Sequence, residues 1–562
     1  MLSADGRYSL TYNGELYNYR ELREELSRMG YVFHSSSDTE VLLYALIAWG
    51  KRALNRFNGM FAFALWDAHE RKLLLARDRY GVKPVYYARQ NNAFVFGSEA
   101  KAVLKHPAVS ARMDLPGLLE YFTFQNFFTD RTLFEGVSIL PSGCLLEVSL
   151  SRGVGEVERY WDYQFEEPTV QRSDSDYMEE LDFLFQRAVQ RQLVSDVDVS
   201  AYLSGGMDSG SITALAAKQV PFMRTFTCGF DMTSASGVEL NFDERRQAEH
   251  MSYLFKTEHY EVVLKSGDME RAFPKMAWHL EEPRVGQSYP NFYAAKLASR
   301  FNKVVLAGTG GDEFFGGYPW RYYRAVVNDD FEHYIDKYYA YWQRLIPNSQ
   351  LRHVFAPVWD KVGQVWTRDI FRDVFASHAS TLTRPEDYVN HSLYLEAKTF
   401  LHGLLVVEDK LSMAHSLESR VPFLDNDLVD FAMRLPTRLK LGHLEDVVRL
   451  NENDAGGKAA RYFQKTRDGK LLLRRMMARH VPTEVVEREK QGFSAPDASW
   501  FKGDSIDYVR RLLYSDDAHI YQYLDKASVR GLVDEHLNGT ENRRLLIWSL
   551  LNVENMCREY FA

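Results

Sequence analysis

Apolar positions along the chain change their period partway, and the change divides it into two parts. Near the start Leu22, Leu26 and Met29 recur at helical spacing and Gly30 follows as a stop, which predicts a short amphipathic helix. Ser37-Asp38-Thr39-Glu40 has the pattern of a capping box, with Ser37 as cap and Glu40 three residues on. The helix it opens presents Val41, Leu42, Ala45, Leu46 and Trp49 and runs to Gly50. Strand-like runs then come in pairs: 60–67 with 72–77 around Ala-His-Glu-Arg, and 84–89 with 93–97 around Gln-Asn-Asn. Such pairs predict antiparallel hairpins. Short strands continue to Tyr160-Trp161.

Residues 166–176 (EEPTVQRSDSD) contain Pro168 and almost no apolar side chain, and read as a linker. Beyond it strands alternate with long helices. A strand at 197–203 precedes a helix at 208–218, one at 224–230 precedes a helix at 243–255, and one at 303–307 precedes a glycine-rich turn. This alternation predicts a parallel sheet with functional loops at the carboxyl ends of its strands. The last two hundred or so residues read as mainly helical. The expected fold class is α/β and α+β: an N-terminal region of antiparallel sheets with helices, then a parallel-sheet α/β domain with a helical C-terminal region. The expected boundaries are 1–165, a linker at 166–176, and 177–562.

Composition narrows the function classes. The chain has 562 residues, 46% of them hydrophobic, and a formal net charge of −9. That is ample for large cores, with no basic stripe to neutralise a phosphate backbone, so no nucleic-acid partner is expected. Cys144, Cys228 and Cys557 are too few and too scattered for a disulfide framework or a Cys-x-x-Cys site. No run approaches eighteen apolar residues and the first residues lack a signal-peptide core, so a cytoplasmic protein without a membrane segment is expected.

Tyr202-Leu203-Ser204-Gly205-Gly206-Met207-Asp208-Ser209 sits where an apolar strand hands over to a helix. Gly205 and Gly206 let successive N–H groups form an anion-binding nest at a positive helix end. Ser204 and Ser209 add hydroxyls, and Asp208 suits a Mg²⁺ held between itself and phosphates. The bland alternative is a glycine-rich turn with Ser and Asp as helix caps. A second loop after the strand near Val304-Val305-Leu306, Ala307-Gly308-Thr309-Gly310-Gly311-Asp312, again puts glycines and an acid at a strand end. Asp312 facing Asp208 would complete a Mg²⁺–pyrophosphate site, and an ordinary turn before a capped helix is the competing account. The first loop resembles that of the ATP-pyrophosphatase superfamily, and it is not a Walker A loop, having no Gly-Lys-Ser/Thr.

Four more segments narrow the resemblance: Tyr12-Asn13-Gly14-Glu15, Arg77-Asp78-Arg79-Tyr80-Gly81, Ser412-Met413-Ala414-His415 with Glu418-Ser419-Arg420, and Lys490-Gln491-Gly492-Phe493-Ser494. With the two glycine loops they resemble the glutamine-hydrolysing asparagine synthetases. The resemblance implies an N-terminal-nucleophile glutaminase domain that releases ammonia, and a synthetase domain in which ATP and Mg²⁺ activate aspartate or a related acid as an acyl-adenylate. Carried over by position, Leu203, Ser204, Gly205, Gly206, Asp208, Ser209, Cys228, Gly308 and Thr309 would hold ATP, Cys228 through its backbone. Asp208 and Asp312 would be the metal and pyrophosphate acids. Lys490 would stabilise charge as pyrophosphate leaves, and Asp409 is either catalytic or structural. Arg420 reads as a structural ion-pair partner. Asn13, Gly14, Glu15 and Asp38 match glutamine-binding positions, and a homodimer is compatible with the resemblance.

Two departures stand out. The family's glutaminase works through an N-terminal cysteine, and no cysteine precedes Cys144 here. The arginine that grips the glutamine carboxylate is also missing. The chain as written is therefore expected to lack glutaminase activity. A start upstream is favoured over use of free ammonia or a remnant domain. Thr309 occupies a position that is acidic in asparagine synthetases, and threonine is a poor base, so Glu408 and Asp409 become candidates for deprotonating the amine. A different acid or amine, and a non-catalytic scaffold, are the alternative functions.

Overall fold

The structure, a computed structural model, describes residues 1–170, 172–233, 243–378, 382–444, 468–487, 496–501, 503 and 505–561. These form two compact units. The first comprises Met1–Arg112, Asp130–Tyr163 and Leu424–Asn426, and the second comprises Met113–Thr129, Gln164–Phe423 and Asp427–Ala562.

In the first unit, β1 (Tyr8–Leu16), α1 (Tyr19–Arg28) and α2 (Asp38–Trp49) precede β2 (Gly59–Asp67) and β3 (Lys72–Arg77). Then come β4 (Tyr86–Gln90), β5 (Ala93–Gly97), β6 (Val137–Ile139), β7 (Cys144–Ser149) and β8 (Gly153–Arg159). Two antiparallel sheets result, ordered β1-β2-β3-β7-β8 and β5-β4-β6. Side chains alternate across a strand, and β2 shows why this gives layers. Phe61, Phe63 and Leu65 pack with Leu22 and Leu26 of α1 and with Val41, Leu42 and Leu46 of α2. Ala62 and Ala64 instead join Val85, Leu140 and Leu146, with Tyr87 and Phe94 against them. Each large apolar side chain so buried contributes about 1.5–3 kcal/mol.

The expected capping box forms only in part. Ser37 caps α2 by accepting from the Thr39 N–H at 3.1 Å. Glu40 turns away from the cap and accepts from the N–H groups of His34 and Ser35 at 3.0 and 2.8 Å. Those donors belong to a turn with no ladder of its own, and the buried carboxylate satisfies them together. Met29 also departs from the helical reading: α1 ends at Arg28 and Met29 is exposed.

The second unit opens with α3 (Leu115–Phe124) and α4 (Asp174–Gln192). α4 begins inside the stretch read as linker, because Ser173 and Asp176 form a reciprocal capping box there. Next are β9 (Val199–Tyr202), α5 (Met207–Ala216), β10 (Arg224–Phe230), α6 (Arg245–Phe255), β11 (Glu258–Leu264), α7 (Ser266–Leu280) and α8 (Tyr289–Ala298). They lead to β12 (Val304–Leu306), α9 (Gly311–Phe315), α10 (Pro385–Leu395), α11 (His402–Met413), β13 (Glu418–Arg420), α12 (Leu471–Met477) and α13 (Arg544–Tyr560). The sheet is wholly parallel, ordered β11-β10-β9-β12-β13. The chain winds outward in one direction from β9 through β10 to β11, and in the other through β12 to β13. β9 and β12 are therefore the neighbours at which the winding reverses, the place where open α/β sheets form a crevice at their carboxyl ends. Both glycine loops leave the sheet there.

Candidate functional site

The loop after β9 is closed on itself by serines. Ser209 Oγ accepts from the Ser204 N–H at 3.1 Å and lies 3.0 Å from Ser204 Oγ, which in turn accepts from the Gly206 N–H at 3.1 Å. Gly206 is the N-cap of α5, and Asp208 falls in its first turn, where the helix dipole favours a negative charge. The loop after β12 packs directly on this turn. A Cβ on Gly311 would sit 2.9 Å from Asp208 Oδ1, and one on Gly308 would sit 3.1 Å from the Ser209 nitrogen. A side chain at either position would crowd that approach, which sets Asp208 beside Asp312.

The two carboxylates converge on one cation. Lys470 Nζ lies 2.6 Å from Asp208 Oδ2 and 2.5 Å from Asp312 Oδ1. Its side chain is only 5% exposed. Lys470 sits at the N-cap of α12 with φ of +59°, a left-handed conformation that costs a non-glycine residue energy and aims its side chain into the cleft. Sequence reasoning missed it. A lone lysine after Asp468-Gly469 carries no pattern, and its role arises only from folding.

A cavity of about 480 Å³ surrounds these groups, within the range of small-molecule sites. It is lined by Leu203 to Ser209, Cys228, Gly308, Thr309, Asp312 and Lys470, so the structure brings together every expected nucleotide and metal residue that it describes. Cys228 is buried on β10, and burial pushes its thiol well above the usual range, in keeping with a packing role for the side chain. Lys490 and the rest of its motif through Ala495 lie outside the described residues.

α10 and α11 are joined by a π-helical turn, Glu396–Leu401, a feature that is frequent at functional sites. Phe400 of this turn and Leu404, Glu408 and Ser412 of α11 line the cavity at four-residue spacing. Asp409 is one residue off that face and is not among the lining groups, although it is buried. Glu408 accepts from Ser419 Oγ at 2.8 Å, and burial raises its carboxyl above the usual carboxylate range. Next to Asp312, Glu313 accepts from the Tyr318 hydroxyl at 2.9 Å and is pushed up to about 7, by burial first and by the Asp312 charge second. Arg420 donates to the Gln192 and Val194 carbonyls at 2.8 and 2.7 Å and pairs with Glu418, which gives it a structural role.

In the first unit, Asn13, Gly14 and Glu15 lie on β1, paired with Ala62, Phe61 and Met60 of β2. Asp38 stands at the start of α2 and accepts from the Tyr12 hydroxyl and the Leu16 N–H, each at 2.9 Å, so it brackets those three residues. Cys144 is buried in β7.

Comparison with known proteins fits this geometry. The family model for asparagine synthase matches residues 180–558, and that for a glutamine amidotransferase domain matches residues 1–161. Together they define a carbon–nitrogen ligase in which a glutamine amidotransferase region precedes an ATP-using synthetase region. The chain belongs to the asparagine synthetase family. It is 31% identical to asparagine synthetase (glutamine-hydrolyzing) 3 of Bacillus subtilis, over 94% of this chain and 82% of that one. It is 29% identical to asparagine synthetase (glutamine-hydrolyzing) 1 of the same organism, over 97% and 85%. A more distant relative is the amidase chyE of Penicillium rubens, 24% identical over 94% of this chain and 83% of that one. No helix among the described residues is long and apolar enough to cross a membrane.

Proposed function

We propose that the second unit uses ATP to activate the carboxylate of an acceptor acid and then passes the acyl group to ammonia, with aspartate as the leading acceptor and asparagine as its product. A carboxylate oxygen attacks the α-phosphorus, the α–β phosphoanhydride bond breaks, and pyrophosphate leaves. Ammonia then attacks the acyl carbon, AMP departs and the nitrogen loses a proton. The observation that carries the reading is the convergence of Asp208 and Asp312 on a single cation between two glycine loops at the sheet's switch point.

Mg²⁺ fits this donor set. Among the described residues no group of three or more metal-ligating side chains is assembled, and Mg²⁺ is commonly held by one or two carboxylates together with substrate phosphates. Asp208 and Asp312 would hold the ion, which neutralises charge on the leaving pyrophosphate when bound. The backbone from Leu203 to Gly206, with Ser209, Gly308 and Thr309, would cradle the nucleotide, and Cys228 would bound its base. Lys470 supplies positive charge for the departing group, and Lys490, which lies outside the described residues, would add to it. Glu408 is better placed than Asp409 or Thr309 to take the proton, because its burial raises its basicity and it lines the cavity.

In this reading residues 1–165 form the amidotransferase domain and 177–562 the synthetase domain. Asn13, Gly14, Glu15 and Asp38 are the glutamine-side positions. Ammonium as nitrogen donor tests the synthetase half independently of glutamine hydrolysis. The test supplies purified chain with ATP, Mg²⁺, aspartate and ammonium, and measures pyrophosphate and asparagine. Pyrophosphate only with another acid would replace aspartate as acceptor, and none with any acid would overturn the adenylation reading.

A further inference from the structure

A second cluster of polar groups stands at the end of α5 opposite the glycine loop. His480, which follows α12, donates from Nε2 to Asp182 Oδ1 of α4 at 2.7 Å, and the two side chains are only 9% and 14% exposed. Burial alone would raise the Asp182 carboxyl, but hydrogen bonds from His480, Gln186 and Arg479 hold it below the usual carboxylate range. An ionised carboxylate only accepts, so it fixes the proton of the neutral imidazole on Nε2. Nδ1 is left as a lone pair, and it lies 3.5 Å from Nζ of Lys218, an exposed residue just past α5. A carboxylate orienting an imidazole whose other nitrogen meets an amine is the arrangement that activates a nucleophile. Beside the three groups is a cleft of about 470 Å³ lined by Ala217, Leu254, Phe255 and Val481. Arg479 also lines it, gives Nη1 to Asp182 at 3.1 Å and is 40% exposed. Apolar side chains next to a guanidinium fit a short acyl group carrying an anionic leaving group.

We propose that Lys218 is a modification site that acyl phosphates acylate, with His480 as the base and Asp182 as its positioning residue. The neutral Lys218 amine attacks the acyl carbon, the bond from that carbon to the phosphate oxygen breaks, and inorganic phosphate leaves with the electron pair. The new amide nitrogen sheds its proton to His480 Nδ1, and Asp182 stabilises the imidazolium until solvent takes the proton. Arg479 holds the phosphate as it departs. The amide cancels a positive charge at the C-terminal end of α5, the helix whose first turn carries Asp208. The proposal does not depend on the adenylation reading.

The test exposes the full chain to acetyl phosphate and follows acetylation of each lysine by peptide mass spectrometry. Lys256 is the internal control, an exposed lysine at the C-cap of the neighbouring helix α6. Lys218 should react about tenfold faster than Lys256 or more, as general-base assistance requires. His480→Gln should bring Lys218 down to the Lys256 rate, and Asp182→Asn should fall between, with Lys256 unchanged in both. Arg479→Gln should slow acetyl phosphate at Lys218 and leave acetic anhydride, which carries no phosphate, unaffected. Equal rates at Lys218 and Lys256 in the wild-type chain would overturn the proposal without recourse to any variant. A Lys218 rate that survives His480→Gln would overturn it equally. Slowing of both reagents in Arg479→Gln would overturn the assignment of the phosphate to Arg479 and with it the choice of acyl phosphate.

Discussion

Asp38 and Asp208 occupy the same kind of place. Each lies in the first turn of a helix, α2 or α5, where the macrodipole favours a carboxylate. They differ in what holds them. Asp38 accepts from a phenol and a backbone N–H, neutral donors fixed by β1. Asp208 is held by the ammonium of Lys470, which it shares with Asp312. A neutral donor cannot be exchanged for a metal ion without stranding a buried polar group. A cation can be exchanged for another cation. The first arrangement keeps a strand and a helix together, and the second keeps a charged site assembled until its ligand arrives.

Removing Asp208 is the strongest way to break this contrast. Asp208→Ala should lower pyrophosphate release by about a hundred- to a thousandfold, as loss of a preorganised electrostatic group does. Turnover near the wild-type level would remove Asp208 from the metal site. Lys470→Met should come next, and its effect should depend on conditions. Two carboxylates left facing each other in a nearly buried place should destabilise the second unit by about 2–4 kcal/mol. Millimolar Mg²⁺ should restore most of the melting temperature, because the ion replaces the missing charge. An equal loss with and without Mg²⁺ would show that Lys470 is simply structural.

The glycine-loop end of the cavity was legible in the chain because its residues are local. Gly205, Gly206 and Asp208 fall within one turn after a strand, and Gly308 to Asp312 within another. The period change near residue 170 gave the antiparallel and parallel parts. The arginine-lined end of the cavity was not legible. Arg321, Arg344, Glu396 and Arg544 come from four separate segments, and each alone reads as a solvated charge. Lys470 was hidden for the same reason: long-range packing and an unusual backbone conformation place it, and no spacing rule encodes either. Glu40 shows the reverse failure, a correct local signal redirected by nearby unsatisfied N–H groups.

Asp38→Ala should have a smaller effect than either substitution in the second unit. It removes the hydrogen bonds from the Tyr12 hydroxyl and the Leu16 N–H, with longer ones from the Ser37 and Thr39 hydroxyls, and should cost about 1–2 kcal/mol, read as a lowered denaturation midpoint of the first unit. Mg²⁺ should not rescue it, since no cation is missing. Rescue by Mg²⁺ would erase the distinction between the two aspartates.

The smallest effect should come from Asp67, a carboxylate that is cation-held and 15% exposed like Asp208, but whose cation is open to solvent. Arg7 Nη2 lies 2.7 Å from Asp67 Oδ2 across the ends of β1 and β2, with 38% of the arginine side chain exposed. That hydrogen-bonded pair lowers the Asp67 carboxyl from 3.8 to about 2. A folded-state value below the unfolded one means that the unfolded chain binds the proton first as acid is added. The contribution is therefore complete above pH 3.8 and lost as pH falls through about 2. Solvent screening keeps it below the Asp38 effect. Arg7→Gln should flatten this acid limb of the stability profile, and 0.5 M salt (about a 4 Å screening length) should do much the same to the wild type. A salt-independent limb would mean that the pair, despite its exposure, behaves like the enclosed Asp208–Lys470 contact.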